Sequence, residues 1–138
     1  MYRFLTFLIV VLCLAGVAIS GMALGEHYNT KSSPCSINDR WDCGIVNHSP
    51  YAVFHNVPVA LIGIVGYAFL IALAGRFPLL TALAALVALA FTLRLTWIEW
   101  KILRVWCIYC VSSQAVVALV FVLSLIATFV GRQRRSRA

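Results

Sequence analysis

A chain of 138 residues that is 63% hydrophobic and only 11% charged is too apolar for a soluble domain of its size, because such domains are about 45–50% apolar and a small one has little interior to hide the excess. The length allows one domain only, and lipid is its natural solvent. A net charge of +7 would suggest nucleic acid in a soluble protein, but here it sits at the ends of apolar runs and sets membrane orientation, so no nucleic-acid partner is expected.

Four apolar runs follow one another, at residues 4–24, 58–74, 79–97 and 107–130. Each is near the ~20 residues that a span needs, the second only just. Backbone groups in hydrocarbon have no partners but one another, so all four are predicted to be helices. The expectation is a single all-α integral membrane domain, a four-transmembrane-helix bundle with a long loop at 25–57 and a basic tail at 131–138. Pro58 and Pro78 stand where helices can begin, and Gly75 and Gly131 where they can end. Gly21 and Gly25 form a small-xxx-small pair that would let helices approach closely. The first run has some look of a cleaved leader, with Met1-Tyr2-Arg3 ahead of it and Gly21-Met22-Ala23 near its end. It is longer than the ~7–15 residues of a signal core, however, and reads better as a span.

Orientation follows the basic residues. With a cytoplasmic N-terminus, Arg3, Arg76, Arg132, Arg134, Arg135 and Arg137 lie inside, while Lys31, Arg40, Lys101 and Arg104 lie outside among Glu26, Asp39, Asp42 and Glu99. The terminal arginine cluster abuts the fourth span and dominates. Both termini are then cytoplasmic in an inner or plasma membrane. The 25–57 loop and the hinge marked by Trp97, Trp100 and Trp106 lie at the outer face. Arg94 shares a helical face with Trp97, Lys101 and Arg104, and snorkels outward. Within the loop, Ser49-Pro50 reads as an N-cap and first helical residue. Tyr51, Val53, Phe54 and Val57 follow at helical spacing, predicting a short amphipathic helix at about 50–56 over the bundle mouth.

Five cysteines carry the chemistry. Cys13 is mid-span among Leu and Val, where cysteine acts as a small hydrophobe. The other four converge on the outer face: Cys35 and Cys43 in the loop, and Cys107-Ile-Tyr-Cys110 at the opening of the fourth helix. That is the side on which disulfides persist. Residues three apart share a helix face, and a helix N-terminus with Lys101 and Arg104 nearby favours the thiolate. Cys107 is placed at the water boundary. Cys110 lies one turn deeper, where it can meet a lipid-soluble electron acceptor. Three readings compete. Two structural disulfides could staple the surface of a non-enzymatic scaffold. A four-cysteine zinc site is disfavoured by the seven-residue gap between Cys35 and Cys43, and no metal is expected. A thiol relay uses the loop pair to reach both an external protein and the buried pair.

The chain resembles bacterial members of the vitamin K epoxide reductase family over nearly its whole length. The likeness rests on Cys35, Cys43, Ser49-Pro50-Tyr51, Val57-Pro58-Val59-Ala60-Leu61-Ile62-Gly63 leading to Tyr67, and Trp106-Cys107-Ile108-Tyr109-Cys110. It implies a quinone of the menaquinone, ubiquinone or vitamin K type at the outer end of the bundle. By the same resemblance Cys110 reduces the quinone, Cys107 resolves Cys110 and exchanges with Cys43, and Cys35 exchanges with a periplasmic thioredoxin-like partner. That partner would be a separate protein, because many relatives carry it fused behind the last helix and this chain ends at Ala138. Ser49 matches a Ser/Thr that the family keeps near the ring. Tyr51, Tyr67 and Gln114 are the other polar candidates for the quinone, by helical position. Gln114 stands where vertebrate relatives have tyrosine, which argues against epoxide reduction and leaves quinone reduction untouched. His55-Asn56 stands where bacterial relatives more often have glycine. The DsbB-type quinone reductases do the same job, but their C-x-x-C lies in the first outer loop.

Overall fold

Apolar segments that must satisfy their own backbone become helix, and the protein is mostly helical. A computed structural model describes residues 1–28, 40–42, 45–46 and 48–137. Four long α-helices are found among them: α1 (Tyr2–Tyr28), α2 (Val59–Leu73), α3 (Pro78–Ile98) and α4 (Ile108–Arg137). A π-helical turn, Glu99–Leu103, prolongs α3. Three helical stretches, Tyr2–Tyr28, Pro78–Leu103 and Ile108–Arg137, are long and apolar enough to cross a membrane. The fourth, α2, has 15 residues and a length of about 22 Å, against a hydrocarbon core of ~30 Å.

The helices are held by close contact rather than by escape from water, since lipid is as apolar as leucine. α1 packs on α2 and α4, and α4 on α3. Ile9 and Cys13 of α1 meet Tyr67 and Leu70 of α2, Ala85 of α3, and Val117 and Val120 of α4 in the central core. The close approach of α1 and α2 depends on Gly16 and Gly63. A Cβ on Gly16 would collide with the ring of Tyr67, and one on Gly63 would lie 2.8 Å from Ser20 Oγ. The expected small-residue pair is not the contact point, since among the described residues a Cβ on Gly21 or Gly25 would meet nothing within 4 Å.

Gly75 ends α2 as expected, at φ 85°, and its carbonyl accepts a hydrogen bond from Tyr2 Oη at 2.9 Å. Gly131 does not end α4, which runs on to Arg137. A glycine in mid-helix costs about 1 kcal/mol, and the arginines beyond it are good helix formers that also favour the negative end of the helix dipole.

The short amphipathic helix expected at 50–56 is also absent. Pro50–Ala52 is a single 3₁₀ turn, and Val53–Phe54 (β1) pairs antiparallel with Val57–Pro58 (β2). His55 and Asn56 join the strands at φ 50° and 67°, the left-handed pair of a type I′ hairpin turn. No right-handed helix can pass through two such residues. The β-branched and aromatic residues on either side fit the strands better. Glycine is the default residue at positive φ, and His55 and Asn56 take that backbone here. The ring of Phe54 then lies edge-on to Phe91 of α3, with centroids 6.2 Å apart.

Candidate active site

The chain leaves the π turn through Arg104, whose φ of 55° swings it off the helix axis toward α4. Before α4 begins, Trp106 pairs with the 40–42 segment. Its N–H donates to the Arg40 carbonyl at 2.6 Å, and Asp42 N–H donates to the Trp106 carbonyl at 3.0 Å. The rings of Trp41 and Trp106 lie 6.3 Å apart. Cys107 follows, wholly buried with Val46 and Val105.

The start of a helix leaves its first N–H groups without helical partners. That of Cys107 donates to Glu99 Oε2 at 3.2 Å, so the π turn supplies a cap for α4. Glu99 is 2% exposed. The Cys110 side chain packs against Cys107 and shares the wall of a small cavity with Glu99. The sequence pointed to cations beside this pair, and the structure places a carboxyl there. The Lys101 ammonium lies over the ring of Trp100, 4.3 Å from its centroid, and Arg104 is exposed. Cys107 is also not at a water boundary: it is wholly buried, with Val46 and Val105 packed against it.

Cys110 is partly exposed, and its exposure opens inward. It lines a cavity of about 610 Å³ between the helices, walled by Ser20 of α1, Phe54 of the hairpin, Tyr67 of α2, Phe91 of α3 and Ser113 of α4. That volume is typical of small-molecule sites, as is an apolar lining with few polar groups. Tyr67 Oη lies 2.6 Å from Ser113 Oγ and 3.0 Å from its carbonyl, at the end of a ring that is 3% exposed. On its other side Cys110 borders a cavity of about 30 Å³ with Ser49, Tyr51, Glu99 and Leu103.

Of the four polar candidates, Tyr67 alone lines the larger cavity. Ser49 and Tyr51 line the smaller one. The Ser49 hydroxyl donates to the Val46 carbonyl at 2.8 Å rather than capping the following turn. Gln114 turns to α3, where its Oε1 accepts from Thr96 Oγ1. Cys35 and Cys43 lie outside the described residues. Two residues at the site were passed over in the sequence. Ser113 stands three places after Cys110 and therefore one turn further along the same face. Glu99 was counted only for its charge, although an acid beside an apolar run is itself a sign of function.

Membrane-length apolar helices gathered around a cysteine pair and a ligand-sized cavity define a membrane-embedded thiol protein. The sequence profile of the Vitamin K epoxide reductase family matches residues 7–125, and the chain belongs to that family. No curated protein matches it. Membership makes the chain, in general terms, a membrane oxidoreductase of quinone-linked thiol chemistry.

Proposed function

We propose that the protein is a thiol:quinone oxidoreductase that crosses the membrane four times, with both termini cytoplasmic and its cysteine pairs on the outer face. A reduced thioredoxin-like partner gives electrons to Cys35 and Cys43, these pass to Cys107 and Cys110, and Cys110 gives them to a quinone in the 610 Å³ cavity. The observation that carries the reading is that Cys110 touches Cys107 on one side and lines a large apolar cavity on the other. A thiol placed in this way can exchange with sulfur and meet an acceptor dissolved in lipid. The paired segments support the step from loop to helix, since Asp42 is bonded to Trp106 and each is followed in sequence by a cysteine of the relay. Direction follows from redox poise, each ~30 mV of difference in a two-electron couple being worth ~1.4 kcal/mol. Family membership does not favour a non-enzymatic scaffold.

The test is anaerobic addition of reduced thioredoxin-like protein to purified protein, with quinone absorbance followed in time. Cys110→Ala abolishes the reduction and leaves the protein folded. Cys35→Ala blocks the protein donor but leaves reduction by small dithiols largely intact. Equal loss in both assays for Cys35→Ala contradicts the assigned order.

A further inference from the structure

Glu99 has no part in the electron route just proposed, yet its carboxyl accepts from the Cys107 N–H and borders the Cys110 thiol across a small cavity. It is 2% exposed and belongs to the helical stretch Pro78–Leu103, long and apolar enough to cross a membrane. A carboxyl in such a place is expensive unless something in its surroundings requires it. Among the described residues it accepts from the Cys107 N–H and shares the small cavity's wall with the Cys110 thiol, neither of them a cation. Capping the Cys107 N–H does not call for a carboxyl, since an amide oxygen would accept that bond equally well. The second contact, to the Cys110 thiol, is the one that a carboxylate serves and an amide cannot, because only the carboxylate can take the proton away.

The cavities add direction. Cys110 stands between them, the large apolar cavity on one side and the small one, with Glu99, Ser49 and Tyr51 on its wall, on the other. Glu99 does not line the large cavity. The small one has the room of about one water molecule, and Tyr51 on its wall is exposed at the surface. A proton taken from Cys110 by Glu99 therefore leaves on the side away from the acceptor.

We propose that Glu99 is the proton acceptor for the Cys110 thiol, and that the small cavity bounded by Ser49 and Tyr51 connects it to the surface. The proposal rests on the quinone-reductase reading. In each turnover the S–H bonds of Cys107 and Cys110 break, one S–S bond forms between them, and the quinone gains two electrons and two protons to become the quinol. Glu99 takes the Cys110 proton as that sulfur becomes nucleophilic and passes it to water. The protons released equal those the quinone takes up, and Glu99 ends as the carboxylate it began. The titratable groups facing the carboxyl are Cys107 and Cys110 at the start of α4, and Tyr51 across the small cavity. Among the described residues, α2 offers Val59 to this cavity, and Val46 and Ser49 come from the stretch before the hairpin. Lys101, on Glu99's own turn, lies against Trp100.

The test uses Glu99→Gln, which keeps an oxygen for the Cys107 N–H and cannot take a proton, with Glu99→Asp as the conservative variant. Full-length protein is reduced in detergent, freed of reductant and mixed anaerobically with a short-chain benzoquinone, and one turnover is followed across pH. Losing a general base costs about 10²–10⁴-fold. Glu99→Gln is expected to be at least ~100-fold slower near neutral pH, with the gap closing as pH rises and the thiol ionises unaided. Glu99→Asp recovers part of the rate. A rate for Glu99→Gln within twofold of the parent overturns the proposal. So does a deficit that is the same at every pH, which marks a purely structural role. A parent protein that itself fails to reduce the quinone sinks the quinone-reductase reading and this one with it. A competent parent with a pH-independent variant sinks only the role of Glu99.

Discussion

Two cysteines of this chain, Cys13 and Cys107, are both 0% exposed and differ in every other respect. Cys13 sits in the central core among Ile9, Tyr67, Leu70 and Val120, where it fills space. Cys107 sits at the start of α4, its amide held by Glu99 and its side chain packed against Cys110. Burial alone therefore does not say what a cysteine is for. The polar groups brought to it do, and a lipid-embedded protein brings them only where they are needed.

The sharpest way to break the comparison is to remove each cysteine in turn. Cys107→Ala should lower quinone reduction by ~10³-fold or more, the scale of losing a nucleophile that acts as part of a unit. Cys13→Ala should leave the rate within twofold in the same absorbance assay and cost about 1 kcal/mol of stability through a small void. Equal rates for the two variants would remove the distinction.

A smaller effect probes how the two regions are joined, since Tyr67 packs on Cys13 at one place and lines the Cys110 cavity at another. Gly16→Ala drives a methyl group into the Tyr67 ring. Overpacking of this kind costs ~1–3 kcal/mol, seen as a lower midpoint of thermal unfolding in detergent and a higher KM for quinone. An unchanged KM would show that the ring's position does not matter to the cavity. The smallest effect expected is that of Tyr67→Phe, which deletes the hydrogen bond to Ser113. Interhelical bonds of this type are worth about 0.6 kcal/mol in membrane proteins, and the same unfolding measurement reads the loss.

Much of the fold was legible in the residues. Except at the end of α4, which runs past residue 130 to Arg137, apolar runs placed the helices to within a few positions, because an unpaired backbone group in lipid allows no other structure. Gly75 marked the end of α2 for the same local reason. What failed was where local signals compete. Tyr51, Val53, Phe54 and Val57 fit a helical face as well as they fit strands. The left-handed pair His55-Asn56 tips the choice to a hairpin, and Phe54 lies against Phe91, a residue distant in sequence.

The sequence by itself determined that the chain is helical, that it belongs in lipid, and which residue types could carry thiol chemistry, because each of these follows from composition and short-range spacing. The tertiary structure alone decided which side chains surround the C-x-x-C. Glu99 reaches Cys107 and Cys110 only because the π turn and the left-handed Arg104 fold the end of α3 back over the start of α4. Tyr67 reaches the cavity only because Gly16 leaves room for its ring. Contacts between segments depend on packing in three dimensions, and no one-dimensional period records them.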